Sequence, residues 1–145
     1  MSAIGPISGQ VSTEIAYGEY TANATINATT EGTAQTVIAA PAVVCDGTTP
    51  IVIEFQSTIA LVPPTGQLFG ILLDGATVLG RMFVIVNSNA ANMSVPIVAR
   101  QRIIPAAGSH TYTVKAYEAN GVCYIEAGTG GTGALMAGFI RITHG

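Results

Sequence analysis

Almost a third of this chain is branched at Cβ. Ile, Val and Thr together make up 46 of its 145 residues, whereas Leu, Glu and Lys together make up 13. A β-branched side chain loses χ1 freedom against the preceding turn of a helix and packs well on a pleated strand. The strong helix formers are scarce. Ala is abundant but scattered among Thr, Gly and Asn rather than set at helical periods. Seventeen Gly and seven Pro supply frequent turns. These residues point to an all-β protein.

Alternation and turn signals predict about nine strands, over 14–27, 35–44, 50–62, 67–74, 76–86, 93–104, 109–119, 122–127 and 135–143. The first is one long or broken strand, and Pro41 marks a bulge or an edge in the second. In the third, Ile51, Ile53 and Phe55 share one face, with Val52, Glu54 and Gln56 on the other. Val95, Ile97 and Ala99 oppose Val98, Arg100 and Arg102, and Tyr112, Val114 and Ala116 point inward. Asp74-Gly75 and Asn120-Gly121 are tight-hairpin signals. No convincing helix, linker or internal repeat is visible. Short strands at this spacing form a sandwich or closed barrel, and a single antiparallel jelly roll of eight or nine strands fits the length. The expected organisation is an extended N-terminal arm over 1–12, carrying Ile4 and Ile7, and a jelly-roll domain over 13–145.

Charge narrows the function. Only 9% of the residues are charged and 49% are apolar, against about 25% charged in ordinary soluble domains. Disorder needs the opposite balance. Five Lys and Arg against eight Asp and Glu, net −3, cannot make a dense phosphate-binding face, so nucleic acid is not an expected partner. No apolar run reaches the ~18 residues of a membrane span, and Met1-Ser-Ala-Ile-Gly-Pro6 lacks the basic and apolar regions of a signal peptide. The expected site of synthesis is a cytoplasm. Cys45 and Cys123 could form one bridge but not a disulfide framework; they read as two free, half-buried thiols. Too few charges for a solvated surface imply that much of the outside is covered by partners.

The chemical motifs are thin. Gly128-Thr-Gly130-Gly131-Thr-Gly133 satisfies G-x-G-x-x-G, but a dinucleotide site needs a helix after it, and residues 134–143 read as a strand. It is a flexible strand connection. His110 and His144 are the only histidines, too few for a metal site at fixed spacing. No Ser sits in a nucleophile elbow. Glu14 with Glu19, or Glu118 with Glu126, could pair, but nothing demands it. No enzyme and no cofactor are expected. Asn23-Ala-Thr25, Asn27-Ala-Thr29 and Asn92-Met-Ser94 match the glycosylation acceptor by chance in a chain rich in Asn and Thr.

The order of the charges says more. Residues 1–80 hold Glu14, Glu19, Glu31, Asp46, Glu54 and Asp74 and no Lys or Arg. Residues 81–145 hold Arg81, Arg100, Arg102, Lys115 and Arg141 against Glu118 and Glu126. Acidic early strands could meet basic late strands across a subunit interface, which fixes register and partner, or within one chain. Arg100 and Arg102, two apart on one strand, share a face; Arg is enriched at interfaces. The candidate interface residues are therefore Arg81, Arg100, Arg102, Arg141, Glu14, Glu19, Ile4 and Ile7.

Four segments together carry a resemblance: Cys45-Asp-Gly-Thr-Thr-Pro-Ile-Val-Ile-Glu-Phe55, Leu72-Leu-Asp-Gly-Ala-Thr-Val-Leu-Gly-Arg81, Ile104-Pro-Ala-Ala-Gly-Ser-His-Thr-Tyr-Thr-Val-Lys-Ala-Tyr117 and Gly138-Phe-Ile-Arg-Ile-Thr143. Over roughly residues 35–143 the chain resembles small bacteriophage virion proteins with a jelly roll like that of the tumour-necrosis-factor and complement globular domains. The resemblance implies a homotrimer on the virion. Its role there would be a head decoration (cement) protein bound to the major capsid protein, or else a tail or fibre knob that binds a host-surface receptor. The chain's shortness favours decoration, and the nine aromatics without Trp supply a sugar-stacking platform poorly.

Overall fold

A computed structural model describes residues 13–145. The arm expected over 1–12, with Ile4 and Ile7, lies outside the described residues. The elements are β1 (Glu14–Tyr20), β2 (Ala24–Ile26), a 3-10 turn (Glu31–Thr33), β3 (Gln35–Ala39), β4 (Val43–Cys45), β5 (Ile51–Val62), β6 (Gln67–Asp74), β7 (Thr77–Val86), β8 (Met93–Ile103), β9 (Gly108–His110), β10 (Tyr112–Ala119), β11 (Cys123–Glu126) and β12 (Gly138–His144). All nine expected segments are present, and three are broken in two. Residues 14–27 divide into β1 and β2. Residues 35–44 divide into β3 and β4 around Pro41, which has no N–H for a ladder. Residues 109–119 divide into β9 and β10 at Thr111. The last strand starts at Gly138 rather than near 135, because residues 128–136 close turns on themselves: Gly128 N donates to Met136 O and Gly130 N to Leu135 O.

The first sheet is organised by β5. Along one edge β5 pairs β8; along the other, residues 51–56 pair β12 and residues 59–61 pair β11. β1 lies beyond β12 and β2 beyond β11. The second sheet runs β3-β10-β6-β7, and β4 and β9 form a separate ribbon. Every pairing is antiparallel, and partners come from opposite ends of the chain (β1 with β12, β3 with β10). That interleaving wraps the two sheets as a jelly-roll sandwich.

Alternation decides the core. Ile51, Ile53 and Phe55 of β5, Val114 and Ala116 of β10, and Ile140 and Ile142 of β12 are buried between the sheets, as is Tyr112. A row of stacked rings crosses the core: Tyr20 on Phe55 at 6.3 Å and Phe55 on Phe83 at 5.7 Å. Both ends of the row lie over a cross-strand glycine. Phe83 is opposite Gly70 and Tyr20 opposite Gly138. A Cβ at Gly70 would overlap the Phe83 ring and one at Gly138 the Tyr20 ring, so glycine at both positions lets the rings lie flat on the sheets. Asn87, buried, ties two loops together: its Nδ2 donates to the carbonyls of Val62, Pro63 and Ala91.

Candidate functional site

The outer face of the first sheet is built from the alternate residues of β8, β5, β12 and β1. Cross-strand register sets three rows across it: Arg102, Val52, Thr143 and Glu14; then Arg100, Glu54, Arg141 and Tyr17; then Val98, Gln56, Phe139 and Glu19. Five of the candidate interface residues, Arg100, Arg102, Arg141, Glu14 and Glu19, therefore meet on one surface. Arg81 stands apart, on β7 of the second sheet.

Within this face charge pairs inside the chain. Glu54 lies between two guanidinium groups, with Arg141 Nη2 at 2.6 Å from its Oε1 and Arg100 Nε at 3.9 Å from its Oε2. So Glu54, from the acidic half of the sequence, meets two bases of the other half without a subunit boundary. Arg102, Arg81, Glu14 and Glu19 make no ion pair among the described residues. The Tyr17 hydroxyl donates to Glu19 Oε2 at 2.9 Å, which pushes the phenol up from its ordinary value, helped by desolvation. The Tyr17 ring stacks on Phe139 at 5.7 Å.

Sequence reasoning missed the apolar part of the surface. Val78, Leu79, Val84 and Val86 of β7 and Val98 of β8 are all exposed large apolar side chains. The signal was present. Residues 82–86, Met-Phe-Val-Ile-Val, are apolar on both faces, as in a strand covered on both sides; β7 is an edge strand that its own chain covers on one. A cleft of about 190 Å³ opens between β7 and β8, lined by Leu72, Leu79, Met82 and Ile103 together with Arg81 and Gln101.

The outer face of the second sheet differs. Ile71, Leu73 and Tyr117 are buried there against Ala28, Ala34 and Phe69, beneath the segment 27–34. Glu118 N donates to Ala28 O at 2.8 Å. The Arg81 guanidinium lies 4.8 Å above the Phe69 ring.

Outside this surface, His110 with Asp74, and Asp46, hold local structure. His110 Nδ1 is 2.6 Å from Asp74 Oδ2 and Nε2 is 2.7 Å from Ala106 O. Two acceptors facing both ring nitrogens favour the imidazolium, and the Ala106 carbonyl, then Asp74, raise the pKa of His110. His144 lines a second cleft of about 150 Å³ beside Cys45, Asp46 and Thr49. Asp46 accepts from the amides and hydroxyls of Thr48 and Thr49, led by the Thr49 hydroxyl, and these hold it well below the usual carboxylate range. Both cysteines are free. Cys123 is fully buried rather than half-buried, because it faces the core from β11, and burial, then Glu118, pushes its thiol up to about 12. Burial also pushes Cys45 up. Neither thiol is poised as a nucleophile. Among the described residues no three His, Cys, Asp or Glu are grouped to hold a metal, and no helix is long and apolar enough to cross a membrane. The glycine loop leads into β12, not a helix, so it holds no dinucleotide cradle of the strand–loop–helix kind.

No protein-family model matches the chain, and no curated protein matches it. Among solved structures it is similar to a carbohydrate-binding module of Cellvibrio mixtus lichenase 5A in complex with cellotriose, at 16% identity and a TM-score of 0.31, over 92% of this chain and 90% of that one. It is also similar to the structure of infectious bursal disease virus Gt strain, at 7% identity and a TM-score of 0.25, over 93% of this chain and 38% of that one. At these scores neither likeness bears on function, and the fold rests on the strand order given above.

Proposed function

We propose that this chain is a non-enzymatic structural protein of a bacteriophage particle. It assembles as a homotrimer and binds the major capsid protein on the outside of the head, as a decoration or cement protein. One observation carries the reading: both sheets leave apolar and arginine side chains on their outer faces, Val78, Val84 and Val86 with Arg81 along the β7 edge of the second and Val98 with Arg100, Arg102 and the Tyr17–Phe139 pair on the first. A protein with 9% charge that leaves Val78, Leu79, Val84, Val86 and Val98 outside has the composition of an interface, in which aromatic residues and Arg anchor and apolar neighbours exclude water. Residues 1–12 supply the attachment to the capsid. Extended, twelve residues reach at most ~40 Å, enough to touch a neighbouring capsomer, and many copies add up to a clamp.

The test is light scattering followed by co-sedimentation with mature capsids. The expected result is a particle of three times the 14.8 kDa chain mass that joins capsids in fixed stoichiometry. Deleting residues 1–12 leaves the trimer folded and lowers capsid occupancy. A trimer that ignores capsids overturns the head assignment in favour of a tail or fibre knob for a host receptor. A stable monomer overturns the reading as a whole.

A further inference from the structure

We infer that copies of this chain join head to tail, the basic and apolar β7–β8 flank of one copy docking on the acidic and aromatic β1 border of the next. The inference rests on the self-association proposed above and adds which surfaces meet.

The first sheet is bordered by β8 on one side and by β1 and β2 on the other. β5 and β12 lie between β8 and β1, so three strand spacings, about 14 Å, separate those two strands. Charge is sorted between these borders. Arg100 and Arg102, two of the chain's five cations, lie on β8. Glu14 and Glu19 lie on β1. Arg102 and both acids lack an ion-pair partner among the described residues. The β7–β8 flank exposes aliphatic side chains and the cleft between the two strands. The β1 border offers the Tyr17 ring, 41% exposed and braced on Phe139.

Symmetry then decides the arrangement. A two-fold contact of one border against itself offers its charges no opposite partner, since β7 and β8 hold no Asp or Glu and β1 no Lys or Arg. Like charges across an interface cost several kcal/mol. Among border-to-border contacts, only a head-to-tail one matches the basic flank with the acidic one, and such contacts close into rings when the rotation permits. Strand direction is compatible. β8 is antiparallel to β5, β5 to β12 and β12 to β1, so β8 meets the next copy's β1 antiparallel. The rows already place Arg102 level with Glu14, so no shift along the strands is needed.

A charge exchange tests this on the full chain. Arg102→Glu and Glu14→Arg are each made singly and then combined, with mass followed against concentration and folding checked by circular dichroism. Each single variant is expected to raise the apparent Kd for association at least ~10-fold, and the combined variant to return it towards wild type. Val98→Asp, at a position 64% exposed, is the second probe; it leaves the strand signal intact and dissociates the assembly. If both single variants and Val98→Asp associate as tightly as wild type, these flanks do not meet, although self-association stands. If the singles weaken association and the combination does not restore it, the head-to-tail pairing is overturned. A wild type that is monomeric at every concentration instead defeats the proposed self-association itself.

Discussion

The outer face of the second sheet is roofed by its own chain over β6 and β10, whereas its β7 edge and the outer face of the first sheet stand open. Both outer faces carry large apolar residues: Ile71, Leu73 and Tyr117 on one, Tyr17, Phe139 and Val98 on the other. On the second sheet, residues 27–34 fold back over them and bury all three. The roof is latched by Gln35. Its Oε1 accepts from the amides of Asn27 at 2.7 Å and Ala28 at 2.8 Å, and its Nε2 donates to Thr25 O at 3.0 Å. No comparable segment among the described residues covers the first sheet, where Val98 stays 64% exposed. The contrast separates residues that hold the monomer together from residues that are free to meet another molecule.

The most direct way to break this comparison is to truncate one ring on the closed face. Tyr117 is buried and stacks on Phe69 at 4.8 Å. Tyr117→Ala is expected to cost about 3–5 kcal/mol, as for other buried aromatics, read from denaturant unfolding at concentrations where the chain is monomeric. Val98→Ala on the open face is expected to stay within about 0.5 kcal/mol. Equal losses at the two positions would mean that the faces do not differ.

The roof itself comes next. Gln35→Ala removes three hydrogen bonds at a partly exposed site and leaves the Asn27 and Ala28 amides without their acceptor. The expected loss is about 1–2 kcal/mol. Hydrogen exchange should speed up at those two amides and not in β5 or β12. Uniform acceleration would show that the roof is not a separate unit.

This contrast was only half legible in the sequence. Alternation in residues 51–56 and 95–102 sorts inside from outside, because the period of a strand is two whatever the strand pairs with, and it fails at the bulge after Ser57, where Ser57 and Ala60 are both buried. Arg100 and Arg102 were placed on one face for the same reason. The position of Glu54 between Arg100 and Arg141 was not readable, since it needs the register of three strands far apart in the chain. Nor was the roof. Residues 27–34 are mostly Thr, Ala, Asn, Glu and Gly, with no apolar stripe to announce what they cover. Tyr20 and Phe83 were equally silent, because the glycines they rest on, Gly138 and Gly70, are neighbours only across strands.

A pH titration sharpens the comparison at the end of the closed sheet. His110 bridges Asp74, the last residue of β6, and the Ala106 carbonyl. Its pKa in the folded chain is raised above the ordinary 6.5. The clasp therefore contributes stability that is fully present below 6.5 and is lost as pH rises through the raised folded value. The melting temperature should fall across that window in wild type and fall less in His110→Gln. Parallel curves for the two proteins would exclude the clasp.

The smallest expected effect concerns the two arginines on either side of Glu54. The Glu54 side chain is 15% exposed, Arg141 44% and Arg100 66%. Arg141 makes a hydrogen-bonded contact at 2.6 Å, whereas Arg100 approaches through Nε at 3.9 Å, beyond hydrogen-bond distance. Exposed pairs contribute about 0.2–1 kcal/mol, and a loose one contributes least. In the dilute monomer, Arg141→Met should cost up to about 1 kcal/mol and Arg100→Met less than about 0.5 kcal/mol. The open-face reading adds a second condition. Arg141 is held by its own sheet, so its removal should cost the same at every protein concentration. Arg100 stands at the β8 border with most of its guanidinium uncommitted, so its removal should cost more once copies associate. Arg100 losses that are independent of concentration would assign that side chain to its own sheet and remove it from the interface.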